Sequence, residues 1–414
     1  MALAVASAVV AAGAQRAAGG GAPAGPGGGA AGRFYRPELD ALRLFAFLMV
    51  WIAHTLPDAA DGAAHGVGAR LLFWVETVKD AGNFGVCVFF FLSAYLITEL
   101  LQREQRATGT VHLAAFYLRR VLRIWPLYLG VLLAYGVLGL RWHAFRIEPG
   151  RLLASVLLAG NWYIAAHPAI LTPMRALWSL SVEEQFYLGW PVLVRQARPA
   201  AMMAACAALI ALALGTVVWL ARSGQPMLHV TAWVNSVVQF QFFALGGLVA
   251  LLLGGRQPRL TGWARSLLLG GAAGALLLAA GGCGIKRPWA THDALTLVAG
   301  YALVGLGCVL LFVSVLGVDA LRVPAWAVRL GQVSFGLYVF HEPGFSIANA
   351  LEKHLFRGAA HERLQQDHWA LLLAGNKLVS LGVTVLLALA SYQWWERPFL
   401  RLKDRFAFVH TRRA

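Results

Sequence analysis

Charge is scarce in this chain: 13% of its 414 residues are Asp, Glu, Lys or Arg, against 59% hydrophobic. A soluble domain of this size needs far more charged surface, so lipid is expected to be the solvent for much of the exterior. Cysteine is scarcer still. Cys87, Cys206, Cys283 and Cys308 all fall in apolar stretches and form no CxxC pair. That pattern excludes a disulfide framework and leaves them as small core residues.

Acidic side chains are the rarer sign, 19 against 35 Lys and Arg, for a formal net charge of +16. Such an excess would suit a nucleic-acid partner. Here, however, the basic residues gather in short connectors between apolar runs, the pattern that orients membrane helices and meets anionic headgroups. Membrane lipids are the expected partner, and nucleic acid is not.

What is abundant is apolar length. Runs near 39–59, 84–101, 124–140, 176–194, 200–221, 231–254, 266–284, 294–317, 326–348 and 370–392 each have the length of a spanning helix. They predict an all-α, polytopic membrane bundle of about ten transmembrane helices. Residues 1–32, rich in Ala and Gly with Arg16 alone among charges before Arg33, hold too few large side chains to bury a core and are expected to be disordered. The membrane domain is placed at 33–402 and a basic tail at 403–414. The stretch 151–166, interrupted by Gly160 and Asn161, reads as an interfacial or re-entrant piece rather than another span. This arrangement gathers Arg33, Arg43, Arg103, Arg119, Arg195, Arg256, Arg322 and the basic tail on one face. The positive-inside rule makes that face cytoplasmic, together with both termini.

Few side chains carry chemistry against this background. Arg43 and His54 stand eleven residues apart, and helical steps of about 100° return them to nearly one face, roughly 16 Å apart along the axis. An ionisable group inside a bilayer marks a cavity or a partner. A neutral imidazole is the usual general base near neutral pH, whereas Arg43 taken alone is equally an inside-positive anchor. The segment Trp178–Tyr187 brings Ser181, Glu183 and Glu184 into an apolar helix. Adjacent carboxylates there point about 100° apart, so one faces a cavity while the other meets the interface or another helix. Arg120 and Arg123, three residues apart, suit a polyphosphate as well as simple anchoring. Ser93 reads as structural, its hydroxyl bonding back to its own helix. His341, within Ser334–Pro343, either polarises a substrate or caps a helix broken at Pro343. His354, His361 and His368 lack a close ligand spacing, and no metal is expected.

Taken in order, Arg43-x10-His54, Gly85–Thr98, Arg120-x-x-Arg123, Trp178–Tyr187 and Ser334–Pro343 resemble the motifs of the acyltransferase-3 membrane proteins. These are bacterial enzymes that O-acylate cell-surface glycans and some other acceptors. The resemblance covers nearly all of Phe34–Leu402. Relatives usually carry Asp and Gly where this chain has Cys87 and Ala94, and often an aromatic where Glu342 follows His341. The resemblance implies an acyl-CoA donor, usually acetyl-CoA, used from the cytoplasmic side of a bacterial inner membrane and delivered to a hydroxyl at the outer face. It assigns site roles to Arg43, His54, Ser181 and Glu183 or Glu184, and donor phosphate contacts to Arg120 and Arg123. Tyr338 and His341 are then the expected substrate contacts, and a cell-surface glycan or related hydroxyl compound the expected acceptor. The competing class is a transporter or lipid-linked glycan flippase, against which stands the lack of an inverted repeat between the two halves. A non-catalytic partner of a polysaccharide assembly complex would leave the Arg43–His54 pairing unexplained.

Overall fold

A computed structural model describes residues 34–142, 145–170, 174–224, 227–287, 293–356 and 368–409. The expected disordered tail at 1–32, His361 and the last five residues lie outside them. Every regular element among the described residues is helical. In chain order these are α1 Pro37–Thr55, α2 Ala59–Ala64, α3 Ala69–Asn83, α4 Gly85–Thr108, α5 Leu113–Arg141, α6 Pro149–Val156, α7 Gly160–Ala166, α8 Trp178–Gln196 and α9 Pro199–Arg222. There follow α10 Leu228–Val234, α11 Ser236–Leu253, α12 Gly262–Leu277, α13 Ala294–Val315, α14 Ala325–Gln332, α15 Ser334–Leu355, α16 Trp369–Ser391 and α17 Arg397–Asp404.

Local chemistry sets the boundaries. α1 opens on Pro37 with Glu38 and Asp40 in its first turn, where acidic groups meet the positive end of the helix dipole. It stops at Thr55, short of the expected 59, because Leu56 precedes Pro57 and is forced into an extended conformation. α4 closes on Gly109, whose φ of 77° lets its N–H return to the Gln105 carbonyl. The run at 231–254 is cut by Asn235, whose side chain accepts from Val237 and Val238 N–H and starts a new helix, α11. The run at 326–348 is likewise two helices, α14 and α15, joined at Val333. α15 continues through Pro343 to Leu355, so His341 does not cap a broken helix. The stretch 151–166 forms two short helices, α6 and α7, neither long enough to cross a bilayer.

Seven continuous helical stretches among the described residues are long and apolar enough to span a membrane. α1, α8 and α15 fall outside that set, and they carry Arg43, His54, Glu183, Glu184 and His341. Helices too polar for lipid are thus packed among apolar neighbours. Contact between them is close. A Cβ at Gly331 of α14 would stand 1.8 Å from the Asp40 carbonyl oxygen of α1. At Gly246 of α11 it would stand 2.1 Å from the Phe91 carbonyl of α4. Stacked rings fill the seam beside α8, with Phe186 and Phe90 lying 4.4 and 4.6 Å from Phe243.

Candidate active site

The polar helices converge on two neighbouring places, one at each end of α1. At the Arg43 end lies a cavity of about 210 Å³ lined by Arg43, Ser93, Arg120, Arg123, Glu183 and Tyr338. Arg36 and Lys403 add to its positive charge, and Asp40 and Glu396 face it as acids. Arg43 donates to Asp40 Oδ1 at 2.9 Å, an (i, i+3) pair that fixes the guanidinium in the wall. Tyr35 also donates to Asp40, at 3.1 Å.

Inside this cavity the two adjacent carboxylates of α8 separate, as helical geometry requires. Glu183 Oε1 accepts from Ser93 Oγ at 2.6 Å and from the Tyr187 hydroxyl. Glu184 turns away, with Trp125 Nε1–H donating to it at 3.3 Å. Ser93 therefore bonds across to α8 rather than back to its own helix, contrary to the expectation for a helix hydroxyl, because a carboxylate is a stronger acceptor than a spent carbonyl. The Arg120 guanidinium lies 4.8 Å from the centre of the Tyr187 ring, so the basic pair is tied into the same group. Ser181 is fully buried elsewhere, its oxygen accepting from Gly160 N–H at 3.2 Å in the seam with α7.

At the other end of α1, His54 is exposed and His341 of α15 is buried, their ring centres 4.9 Å apart. His54 Nδ1 lies 2.8 Å from the Val50 carbonyl and His341 Nδ1 lies 2.6 Å from that of Tyr338. A carbonyl can only accept, so each ring carries its proton on Nδ1 and keeps a lone pair on Nε2. The Nε2 of His341 is buried without a hydrogen-bond partner. Glu342 joins this pair, and the ligating atoms of the three lie within 4.8 Å of one another. The result is a spot rich in acceptors, which sequence spacing does not reveal because His54 and His341 come from opposite ends of the chain.

Tyr338 belongs to both places. Its ring lines the cavity, its hydroxyl donates to the Ala176 carbonyl at 2.8 Å and meets Ser179 Oγ at 2.7 Å, and its ring centre is 5.6 Å from that of His341. Arg43 and His54 stand at opposite ends of α1, Arg43 in the cavity wall and His54 beside His341. Ser179 and Glu396 are participants that sequence reasoning did not single out. The Glu396 carboxylate accepts from Ser391 at 3.0 Å.

The acyltransferase domain family matches residues 36–392. The chain belongs to this family. That span takes in the grouping of His54, His341 and Glu342 and all of the cavity lining except Phe34, Tyr35, Glu396, Leu400 and Lys403. The chain is also similar to the peptidoglycan O-acetyltransferase OatA of Listeria monocytogenes, 29% identical over 168 residues that make up 38% of this chain and 24% of that protein. It resembles the O-acetyltransferase OatA of Staphylococcus aureus at 30% identity, covering 39% and 25% respectively. The match thus spans about a quarter of the length of these curated relatives. No solved structure gives a significant match.

Proposed function

We propose that this acyltransferase domain is a membrane O-acetyltransferase that takes an acetyl group from acetyl-CoA at the Arg43 end and gives it to a glycan hydroxyl at the His54 end. The carrying observation is the basic cavity on one side of Tyr338 and, on the other, an exposed imidazole whose Nε2 keeps its lone pair. Arg120 and Arg123 would receive the donor phosphates, as guanidinium forks do. On this reading the basic connectors face the cytoplasm and the His54 end faces outward.

The acceptor hydroxyl gives its proton to His54 Nε2 while its oxygen attacks the thioester carbonyl carbon. The new C–O bond forms, the C–S bond breaks, and the thiolate of CoA leaves with the proton returned by the imidazolium. The acceptor-rich grouping of His54, His341 and Glu342 suits a sugar, whose neighbouring hydroxyls all offer protons. No metal takes part in this step.

The test uses the purified protein in lipid nanodiscs with radiolabelled acetyl-CoA and candidate glycans. His54→Ala should lower transfer by roughly a hundredfold or more, with folding checked by thermal unfolding, and dialysis against EDTA should leave the wild-type rate unchanged. Near wild-type transfer by the variant removes the base. Loss of activity on chelation, restored by zinc, would make the trio a metal site instead.

A further inference from the structure

Beside Glu342 the fold gathers positive charge that the reaction above does not use. The hub is the short turn Met174–Ala176, where Met174 holds a left-handed backbone, φ 61°, unusual for a residue with a side chain. The Met174 carbonyl faces Arg151 of α6, with Nη2 at 3.5 Å, and the Ala176 N–H donates to Glu342 Oε1 at 3.0 Å. Arg175, between them, lies within electrostatic range of both Arg151 and Glu342. On its other side stands Lys286, from the connector after α12, with its Nζ 4.5 Å from the centre of the Trp233 ring. Its neighbour Arg287 is already matched, donating to Asp80 at 3.1 Å and to Thr77 at 2.8 Å.

Arg151 and Arg175 thus share Glu342, with the exposed Glu148 reaching Arg151 alone, while Lys286 shares Asp80 with Arg287, and two features make the group a poor structural bargain. Arg151 is 5% exposed, and the 3.5 Å approach to Met174 is a weak hydrogen bond for a buried guanidinium. Loss of water also lowers the pKa of all three, Arg151 to about 10, Lys286 to about 7 and Arg175 in the same direction. Cations short of water, whose few carboxylates are shared with one another, with Arg287 and with the Ala176 N–H, leave room for an added anion. The turn that holds them also holds Glu342, which sits against His54.

We propose that Arg151, Arg175 and Lys286 form a subsite for a carboxylate or phosphate carried by the acceptor sugar, next to the hydroxyl that reacts at His54. The inference rests on the reading that the His54 end receives the acceptor. It narrows that acceptor to acidic saccharides, and it gives α6 and the turn before α8 a task in substrate choice.

Titration calorimetry on the full-length protein in nanodiscs, with trigalacturonate, glucose 6-phosphate and neutral maltotriose, tests it. One or both acidic sugars should bind at least tenfold more tightly than maltotriose; trigalacturonate alone assigns a carboxylate, glucose 6-phosphate alone a phosphate. Arg175→Gln and Lys286→Gln should each weaken the anion at least tenfold, while Lys286→Arg, which keeps the charge, stays near wild type. Thermal unfolding checks that each variant is folded. Equal binding of maltotriose and the acids, no binding of either acid, or unchanged affinity in a folded Lys286→Gln overturns the subsite. Charge-selective binding without any acetyl transfer to these sugars or to isolated glycans would sink the acetyltransferase reading and leave the subsite standing. Transfer with no preference for acidic acceptors would do the reverse.

Discussion

At the residue scale, the chemistry is set by what each side chain is denied. His54 and His341 each commit the Nδ1–H to a backbone carbonyl as a hydrogen-bond donor and so have only a lone pair to offer at Nε2. Lys286 is short of water. It faces Arg175, Asp80 and Cys87 from the elements around it, and removal from water together with Arg175 outweighs Asp80 and pulls its ammonium down to about 7. Below that pH it carries a charge; as pH rises through it the charge is lost, so attraction for an anion weakens. Trigalacturonate affinity should therefore fall by roughly tenfold from about pH 6 to about pH 8.5. Calorimetry across that range reads it directly, and Lys286→Gln should flatten the profile. A bound anion stabilises the ammonium and moves the midpoint upward, which sets the direction of any departure from 7.

At the element scale, apolar run lengths located the hydrophobic helices well because burial in lipid imposes a length that sequence must supply. They failed where a single residue acts as punctuation. Pro57 ended α1 early and Asn235 split one run in two, while α3 carries Arg70, Glu76, Lys79 and Asp80 among its apolar residues and so left no apolar run to read. The candidate site was legible to the extent that it lay on one helix: Arg120 with Arg123 and Glu183 beside Glu184 come to one cavity or its edge, whereas Arg43 and His54 share α1 but stand at its opposite ends. Pairings between helices were not legible, since nothing local says that Ser93 meets Glu183 ninety residues on or that His54 meets His341. Small residues at the crossings make those pairings possible. Gly246→Ala would drive a methyl into the Phe91 carbonyl, backbone against backbone with no side chain free to yield. It should cost about 1–3 kcal/mol, seen as a lowered unfolding temperature, and disturb the register that brings α4, and with it Ser93, to α8. An unfolding temperature equal to wild type would mean that α11 shifts at no cost.

At the scale of the whole molecule, the proposed reading makes orientation part of function, because it brings the donor to the Arg43 end of α1 and the acceptor to the His54 end. Single cysteines introduced at Arg106, in the last turn of α4, and at Ser223, after α9, should label differently in intact cells given a membrane-impermeant maleimide. The first should stay protected until lysis and the second should react at once, with the native cysteines as background control. The opposite pattern would invert the assignment of donor and acceptor ends. The placing of Tyr338 has a further consequence. Its ring lines the basic cavity and lies beside His341, and its hydroxyl is tethered by Ser179 and the Ala176 carbonyl. On the proposed reading an acyl group travelling from the cavity to His54 meets this tethered ring, so the separation of the two ends and the ease of crossing between them depend on the same side chain.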